Sequence, residues 1–266
     1  MSPHDLPGNH SSLVDRTDRS SLPRCLSSPA RSWLFVPGLD RAAQQRGLTS
    51  GADVIVADLQ ELTSPADRPA ACIRTVDLLA ECRQAGAMAA LRINHLERGG
   101  RQELEKTIEG GPQAVLTSQT EAAAPIQELD ALLTACEDRL GLPPGYTAIV
   151  PVLASPLAVM RTYEVLTASR RVKAGVLAGR SLAQALGMGS ADDTEALRLL
   201  RSRFALECAA AGCLAVDSGH CYPSTEALQN DLAWSRSQGI RAKQAMSEAQ
   251  APILNQAFTP STGDST

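Results

Sequence analysis

The sequence predicts an α/β protein of the (β/α)8 TIM-barrel class, and three observations carry that reading. Short aliphatic runs alternate with helical stretches eight times between residues 31 and 258, the rhythm that a closed parallel barrel requires. At 266 residues the chain has the length of one such barrel, not of several domains. No Gly-rich dinucleotide turn follows the first strand, although the competing doubly wound sheet usually carries one.

Residues 1–30 are rich in Ser, Pro, Arg and Asp without a sustained period. They are expected to form a disordered tail carrying His4 and His10. Residues 33–36 read as the first strand, stopped by Pro37-Gly38, and 41–49 as a short helix. Residues 53–59 form a β-branched run that breaks into Asp58, Gln60 and Glu61 where a buried parallel strand would end. Ser64-Pro65 then starts a helix over 66–85, with Ala70, Ile73, Val76, Leu79 and Cys82 spaced for one buried stripe. Strand three covers 88–93 and its helix 102–109, and strand four covers 114–116 with a helix over 122–136. The rhythm continues with strand 148–153 and helix 157–167, then strand 172–177 and a short helix over 182–186. Helix 194–211 runs into strand 214–216, helix 225–237 follows, and 240–246 is a poorer eighth strand. Only 249–258 and a polar tail, 259–266, remain. The last helix is therefore expected to be missing or displaced, leaving apolar surface for a partner subunit.

Composition excludes several function classes. Net charge is −4 and aromatics are 3%, so neither a basic field nor a stacking platform is present for nucleic acid. No apolar run approaches the roughly 20 residues of a membrane helix, and no signal-peptide core opens the chain. The reading is a cytoplasmic protein with no membrane and no nucleic-acid partner. Seven cysteines without a C-x-x-C pair read as small buried hydrophobes, with Cys221 beside His220 the exception.

Several motifs, in order along the chain, resemble the citrate lyase β-subunit group of the HpcH/HpaI aldolase family of CoA-ester lyases. RSWLFVPG (31–38) is similar to the family's R-S-x-L-F-V-P-G start, and GADVIVADLQELTSPADR (51–68) resembles its G-A-D-x-x-x-L-D-L-E-D-x-V-x-P segment. LRIN (91–94) matches an R-I-N strand; SPLAVMRTYEVLTASRRV, LAQALGM, AAAGCLAVD and NQAFTPS resemble later segments. The resemblance implies a barrel assembled as a homo-oligomer, a trimer or hexamer. It also implies Mg2+-assisted cleavage of a carbon–carbon bond in a 3-hydroxy-acyl-CoA or keto-acid-type anion.

Carried over by residue, Arg92 is the family's R-I-N arginine and a candidate to grip a substrate carboxylate, or to pair with Asp58 or Glu61. Asp58 and Glu61 are candidate acid/base catalysts if burial moves one carboxyl toward neutrality, or else groups that hold an arginine or cap a helix. Ala154 stands where the family's first metal-binding Glu ends strand five, and Arg180-Ser181 where its Glu-Asp pair follows strand six. With both acids replaced, no ordinary Mg2+ site and no other cofactor is expected. Arg180 is a candidate cation beside an anionic ligand, or a surface arginine. Leu116-Thr117-Ser118 lacks the family's Lys, and the eighth strand keeps Lys243 but loses a His. Asp217 resembles a family positioning residue, His95 is a possible acid/base, and His220-Cys221 is a weakly supported nucleophile pair because adjacent residues rarely face each other. Two functions stay open: a family-type lyase acting on a small anion or acyl-CoA, and a catalytically inactive binding or assembly subunit.

Overall fold

The computed structural model describes residues 30–118, 120–188 and 195–260. Most of the segment read as an N-terminal tail, with His4, His10 and Cys25, and residues 261–266 of the polar C-terminal tail, lie outside them. Eight strands close into a parallel barrel in sequence order, β1 to β8. They are β1 Ser32–Pro37, β2 Val54–Asp58, β3 Met88–Ile93, β4 Ala114–Ser118, β5 Ala148–Leu153, β6 Ala174–Leu177, β7 Leu214–Asp217 and β8 Ala242–Ala245. The helices are α1 Arg41–Leu48, α2 Arg68–Gln84, α3 Gly100–Thr107, α4 Ala123–Leu140 and α5 Pro156–Met160. Then come α6 Thr162–Leu166, α7 Gly179–Ala185, α8 Glu195–Ala211, α9 Thr225–Ser237 and α10 Gln250–Phe258. Among the described residues, no helix is long and apolar enough to cross a membrane.

Strand alternation sorts the core into two compartments. Trp33, Val54, Val56, Leu116, Val150, Val176 and Val216 fill the barrel interior together with Ala90, Ala114, Ala148, Ala174 and Ala242. Alanines leave room for the one bulky occupant, fully buried Trp33, whose indole N–H donates to the Ala30 carbonyl at 2.9 Å. The alternate residues, including Leu34, Ile55, Leu91, Ile149 and Leu177, join the helix side chains in an outer layer. Because side chains alternate along a strand, position parity decides which strand-end groups reach the barrel mouth and which are sealed beneath the helices.

The structure corrects three of the element readings. The last helix is present: α10 packs on β1 and β8 and buries Ala251, Leu254 and Phe258. Its Asn255 accepts from the Ser32 hydroxyl at 2.6 Å and donates to the Gly51 carbonyl at 2.7 Å, while Arg31 donates to the Asn255 carbonyl. Nine residues suffice because these bonds tie the helix to the bottom of β1. The second correction concerns α2, wedged between the barrel and α3. It buries Ala71, Cys72, Thr75, Leu78, Leu79 and Cys82, an arc wider than one stripe, and leaves Ala70 and Ile73 exposed. The third is the helix expected over 157–167, which breaks at Arg161 (φ −115°, ψ 20°) into α5 and α6.

Smaller differences lie at element ends. The helix after β3 starts earlier because Gly99 takes φ 99° and Gly100 packs where a Cβ would sit 2.0 Å from the Asn94 carbonyl oxygen. β6 is shorter than expected, Val172 making only an isolated bridge to Ile149. Four of the cysteines, Cys72, Cys82, Cys136 and Cys208, are buried as expected. Burial pushes the Cys82 thiol up to about 12.

Candidate active site

The carboxyl ends of the strands converge on a mouth where the register sets Asp58 beside both Pro37 and Arg92. Asp58 is the last residue of β2, and its Oδ1 accepts from the backbone N–H groups of Gln60 (2.7 Å) and Glu61 (3.1 Å). That turn swings Glu61 over the barrel. The Thr63 hydroxyl donates to the Asp58 carbonyl and accepts from the Gly38 N–H, pinning the turn to the end of β1.

Arg92, from β3, is the hub. Its Nη1 donates to Asp58 Oδ2 (3.3 Å), Nη2 to Glu61 Oε1 (2.6 Å) and Nε to Ser118 Oγ (3.1 Å). Ser118 ends β4 and its hydroxyl donates to the Gln60 side-chain carbonyl. The guanidinium also lies 5.7 Å from the centroid of the Phe35 ring, close enough for a cation–π contact. Burial raises the Asp58 carboxyl above its ordinary range, outweighing the Arg92 charge and the two backbone donors. Glu61 differs from both neighbours: its side chain is 57% exposed while that of Arg92 is 6% exposed.

Two adjoining cavities open here. One of about 190 Å³ is bounded by Phe35, Asp58, Arg92, Arg180, Ser181 and Ser218 among others. Its neighbour, of about 520 Å³, is bounded by Arg92, His95, Arg98, Glu121, Ala154 and Ser181 among others. The candidates drawn from distant parts of the sequence thus meet around one mouth, with Arg92, Glu61 and Ser181 on both cavities. Arg180 is an exposed residue in the first turn of α7. Ser155, next to Ala154, caps α5 by accepting from the Ala158 N–H and donates to Glu121. Among the described residues, no group of three or more His, Cys, Asp or Glu side chains is placed to hold a metal ion.

Other sequence candidates take different partners. Asn94 of the R-I-N strand is structural: it binds Glu103 of α3 and the Leu59 carbonyl. His95 caps the Leu96–Arg98 3-10 turn, its Nδ1 accepting from the Glu97 N–H at 3.4 Å. Asp217 and Lys243 have outward parity and do not line the mouth. They join Arg201 of α8 and Asp231 of α9 in a buried cluster, with Arg201 Nε to Asp217 at 2.9 Å, Arg201 Nη1 to Asp231 at 2.8 Å and Lys243 Nζ to Asp217 at 2.8 Å. His220 pairs with Ser218 and not with Cys221: its Nε2 is 3.1 Å from Ser218 Oγ, while Cys221 is exposed.

Phe35, Ser118, Ser218 and Arg201 were not singled out as site residues from the sequence, and Gln60 was marked only as a polar group at the end of strand two. Parity was the available signal for three of them, since Phe35, Ser118 and Ser218 stand two residues beyond interior Trp33, Leu116 and Val216. Arg201 sits in a helix and carried no comparable signal.

Comparison with known proteins agrees with this architecture. Residues 31–239 match the model of the HpcH/HpaI aldolase/citrate lyase family. Citrate lyase subunit beta of Escherichia coli K12 is 23% identical over 243 residues, 91% of this chain and 80% of that protein. RipC from Yersinia pestis superposes with a TM-score of 0.71 at 26% identity, covering 88% of this chain and 96% of RipC. CitE from Mycobacterium tuberculosis, solved in complex with magnesium and pyruvate, has the same fold, with a TM-score of 0.71 at 22% identity over 89% of this chain and 93% of that one. With the closed barrel and a family match over most of its length, the chain belongs to the HpcH/HpaI aldolase/citrate lyase family.

Proposed function

We propose that this chain is a lyase-type member of its family whose mouth binds a small carboxylate, either a keto acid or the acyl portion of a CoA ester, through Arg92 and without the family's Mg2+ site. The observation that carries this reading is the Glu61–Arg92 contact. A buried guanidinium carries on its outer edge a carboxylate that is more than half exposed. An incoming carboxylate can take the place of Glu61 while Asp58 and Ser118 hold Arg92 still. Such an exchange trades one bidentate-capable anion for another and strands no buried charge.

The donor set supports the metal-free part of the reading. Mg2+ takes hard oxygen ligands, usually with at least one carboxylate. The Ala154 side chain supplies no donor to the larger cavity, Ser181, on both cavities, supplies one neutral hydroxyl, and Arg180 brings positive charge to the smaller one. Asp58 already receives two amides and Arg92. In this reading Arg92 orients the carboxylate and Arg180 faces negative charge that develops on the ligand. Asp58 and Glu61 are the acids available for proton exchange.

The alternative, a catalytically inactive binding or assembly subunit, draws support from the engagement of both acids by Arg92. For assembly with further copies, the face to cover would be α5, α6 and α8, where Met160, Tyr163, Leu199 and Leu206 are exposed.

Calorimetric titration with pyruvate and with acetyl-CoA, each with and without Mg2+, tests the reading. Binding of either ligand is expected to be indifferent to Mg2+, and binding of pyruvate, which carries the carboxylate, to be lost in Arg92→Ala. Tight Mg2+ binding that depends on Asp58 or Glu61 would overturn the metal-free site, and no binding of either ligand would favour the assembly subunit.

A further inference from the structure

We propose that Ser218 and His220 form a nucleophile–base pair that accepts a short acyl group from an activated ester or thioester. Ser218 follows β7 with inward parity, two residues after Val216 of the barrel interior. Its side chain is buried, yet it borders the 190 Å³ cavity. His220 Nε2 lies 3.1 Å from Ser218 Oγ, within the reach that a general base needs.

Two glycines make this arrangement possible. At Gly219 a Cβ would stand 2.7 Å from Met246 Sδ and 2.8 Å from the Gln244 carbonyl oxygen. Only a residue without a side chain lets the loop press against the end of β8 and return His220 to the face of Ser218. At Gly179 a Cβ would lie 2.5 Å from Ser218 Oγ, so the start of α7 closes directly on the hydroxyl. The loop is also held in place: Gln250 donates to the His220 carbonyl at 3.2 Å, and the Tyr222 ring meets the imidazole edge-on at 5.9 Å. Burial, reinforced by the Lys243 charge, keeps the imidazole pKa below its ordinary value. That shift favours the neutral ring, which accepts the Ser218 proton at Nε2 when its own proton is on Nδ1.

The reaction balances without a metal or a redox partner. Ser218 Oγ attacks the acyl carbon as its proton passes to His220 Nε2. A C–O bond forms, the C–S or C–O bond to the leaving group breaks, and the departing thiolate or alkoxide takes the proton from the imidazolium to leave as thiol or alcohol. Water, deprotonated by the same imidazole, then hydrolyses the seryl ester to release the acid and restore Ser218. Arg180, on the same cavity, supplies positive charge toward the oxyanion that forms at each addition. The proposal shares the mouth with the lyase reading but does not depend on Arg92 or on a keto acid.

A fluorophosphonate probe and 4-nitrophenyl acetate test it, in buffer free of Mg2+, keto acid and CoA ester, so the outcome is independent of the ligand titrations. The expected results are a phosphonyl adduct mapped by mass spectrometry to the Ser218 peptide and a nitrophenol burst near one equivalent. Both should vanish in Ser218→Ala. His220→Gln, with circular dichroism matching the parent, should slow labelling at least about 100-fold. An unmodified Ser218 in folded protein, a burst whose acetyl group maps to other residues, or equal labelling rates in His220→Gln would overturn the proposal.

Discussion

Arg92 and Arg201 each gather two carboxylates and a serine hydroxyl on the same barrel, and they do so with opposite consequences. Arg92 holds Asp58, Glu61 and Ser118 inside the mouth, where Glu61 remains more than half exposed. Arg201 holds Asp217, Asp231 and Ser235 beneath α8 and α9, with Lys243 as a second cation and both arginine and lysine side chains essentially inaccessible. The first cluster carries one more acid than base; the second balances two against two. A sealed, balanced cluster has no means of exchanging a partner, because removing one charge leaves another buried and unpaired. An open cluster with one solvated acid can exchange it. The same residue types therefore form a strut in one place and a binding site in the other, and strand parity decides which.

The largest expected effect lies in the sealed cluster. Arg201→Met should cost about 3–5 kcal/mol by leaving two buried carboxylates to share Lys243 alone, lowering the melting temperature by roughly 6–20 °C. Arg92→Met should cost clearly less, about 1–2 kcal/mol, because Glu61 turns to water and Asp58 keeps its backbone donors. Chemical denaturation of both variants measures the gap, and equal losses would break the comparison.

The two clusters should also respond to pH with opposite sign. Burial alone raises the Asp217 and Asp231 carboxyls, but Lys243 and Arg201 outweigh it and hold both below their ordinary values. Their stabilisation is therefore present above the unfolded value of about 3.9 and is lost as pH falls through the folded values. The Asp58 shift is upward, so its favourable contribution is present below the unfolded value and is lost as pH rises through the folded one. Asp231→Asn should accordingly lower stability at neutral pH and flatten the acid limb of a stability profile. Asp58→Asn should raise stability at neutral pH or leave it unchanged. Denaturation series between about pH 7 and pH 3 distinguish the two; a loss at neutral pH in Asp58→Asn would mean that Arg92 dominates over burial.

The smallest effect sharpens the binding half of the comparison. Glu61→Gln should change stability by less than about 1 kcal/mol, because the Glu61 side of the pair is more than half exposed and Arg92 keeps Asp58 and Ser118. It should also tighten pyruvate binding by up to about fivefold, the affinity equivalent of such a pair. Calorimetry reads this directly, and weaker binding would show that Glu61 assists the ligand and does not compete with it.

Much of this was legible in the chain. The strand runs carried the barrel, because a strand covered on both faces must be apolar over its whole length, and polar residues therefore mark its end. Asp58, Glu61 and Arg92 could be placed at the mouth for that reason. The errors came where a helix meets more than one neighbour. Ile73 has the right spacing for the core, but α2 is wedged against α3 as well as the barrel, and Ile73 falls outside the buried arc. The last helix was underestimated because its attachment depends on Asn255 meeting Ser32 across 223 residues. The sequence rightly disfavoured a His220–Cys221 pair, since adjacent residues rarely face each other, but it did not anticipate that His220 meets Ser218, two residues away on the same face.

The sequence by itself determined the order of strands and helices, the family, and which polar residues stand at strand ends. These are properties of local pattern and of neighbours in the chain. The tertiary structure decided which of those residues meet: that Arg92 is shared among Asp58, Glu61 and Ser118, that Asp217 turns away from the mouth to Arg201, and that Ser218 faces His220. Closure of the barrel brings together side chains that are far apart in sequence, and burial then selects the charged pairs that balance, which the linear pattern does not specify.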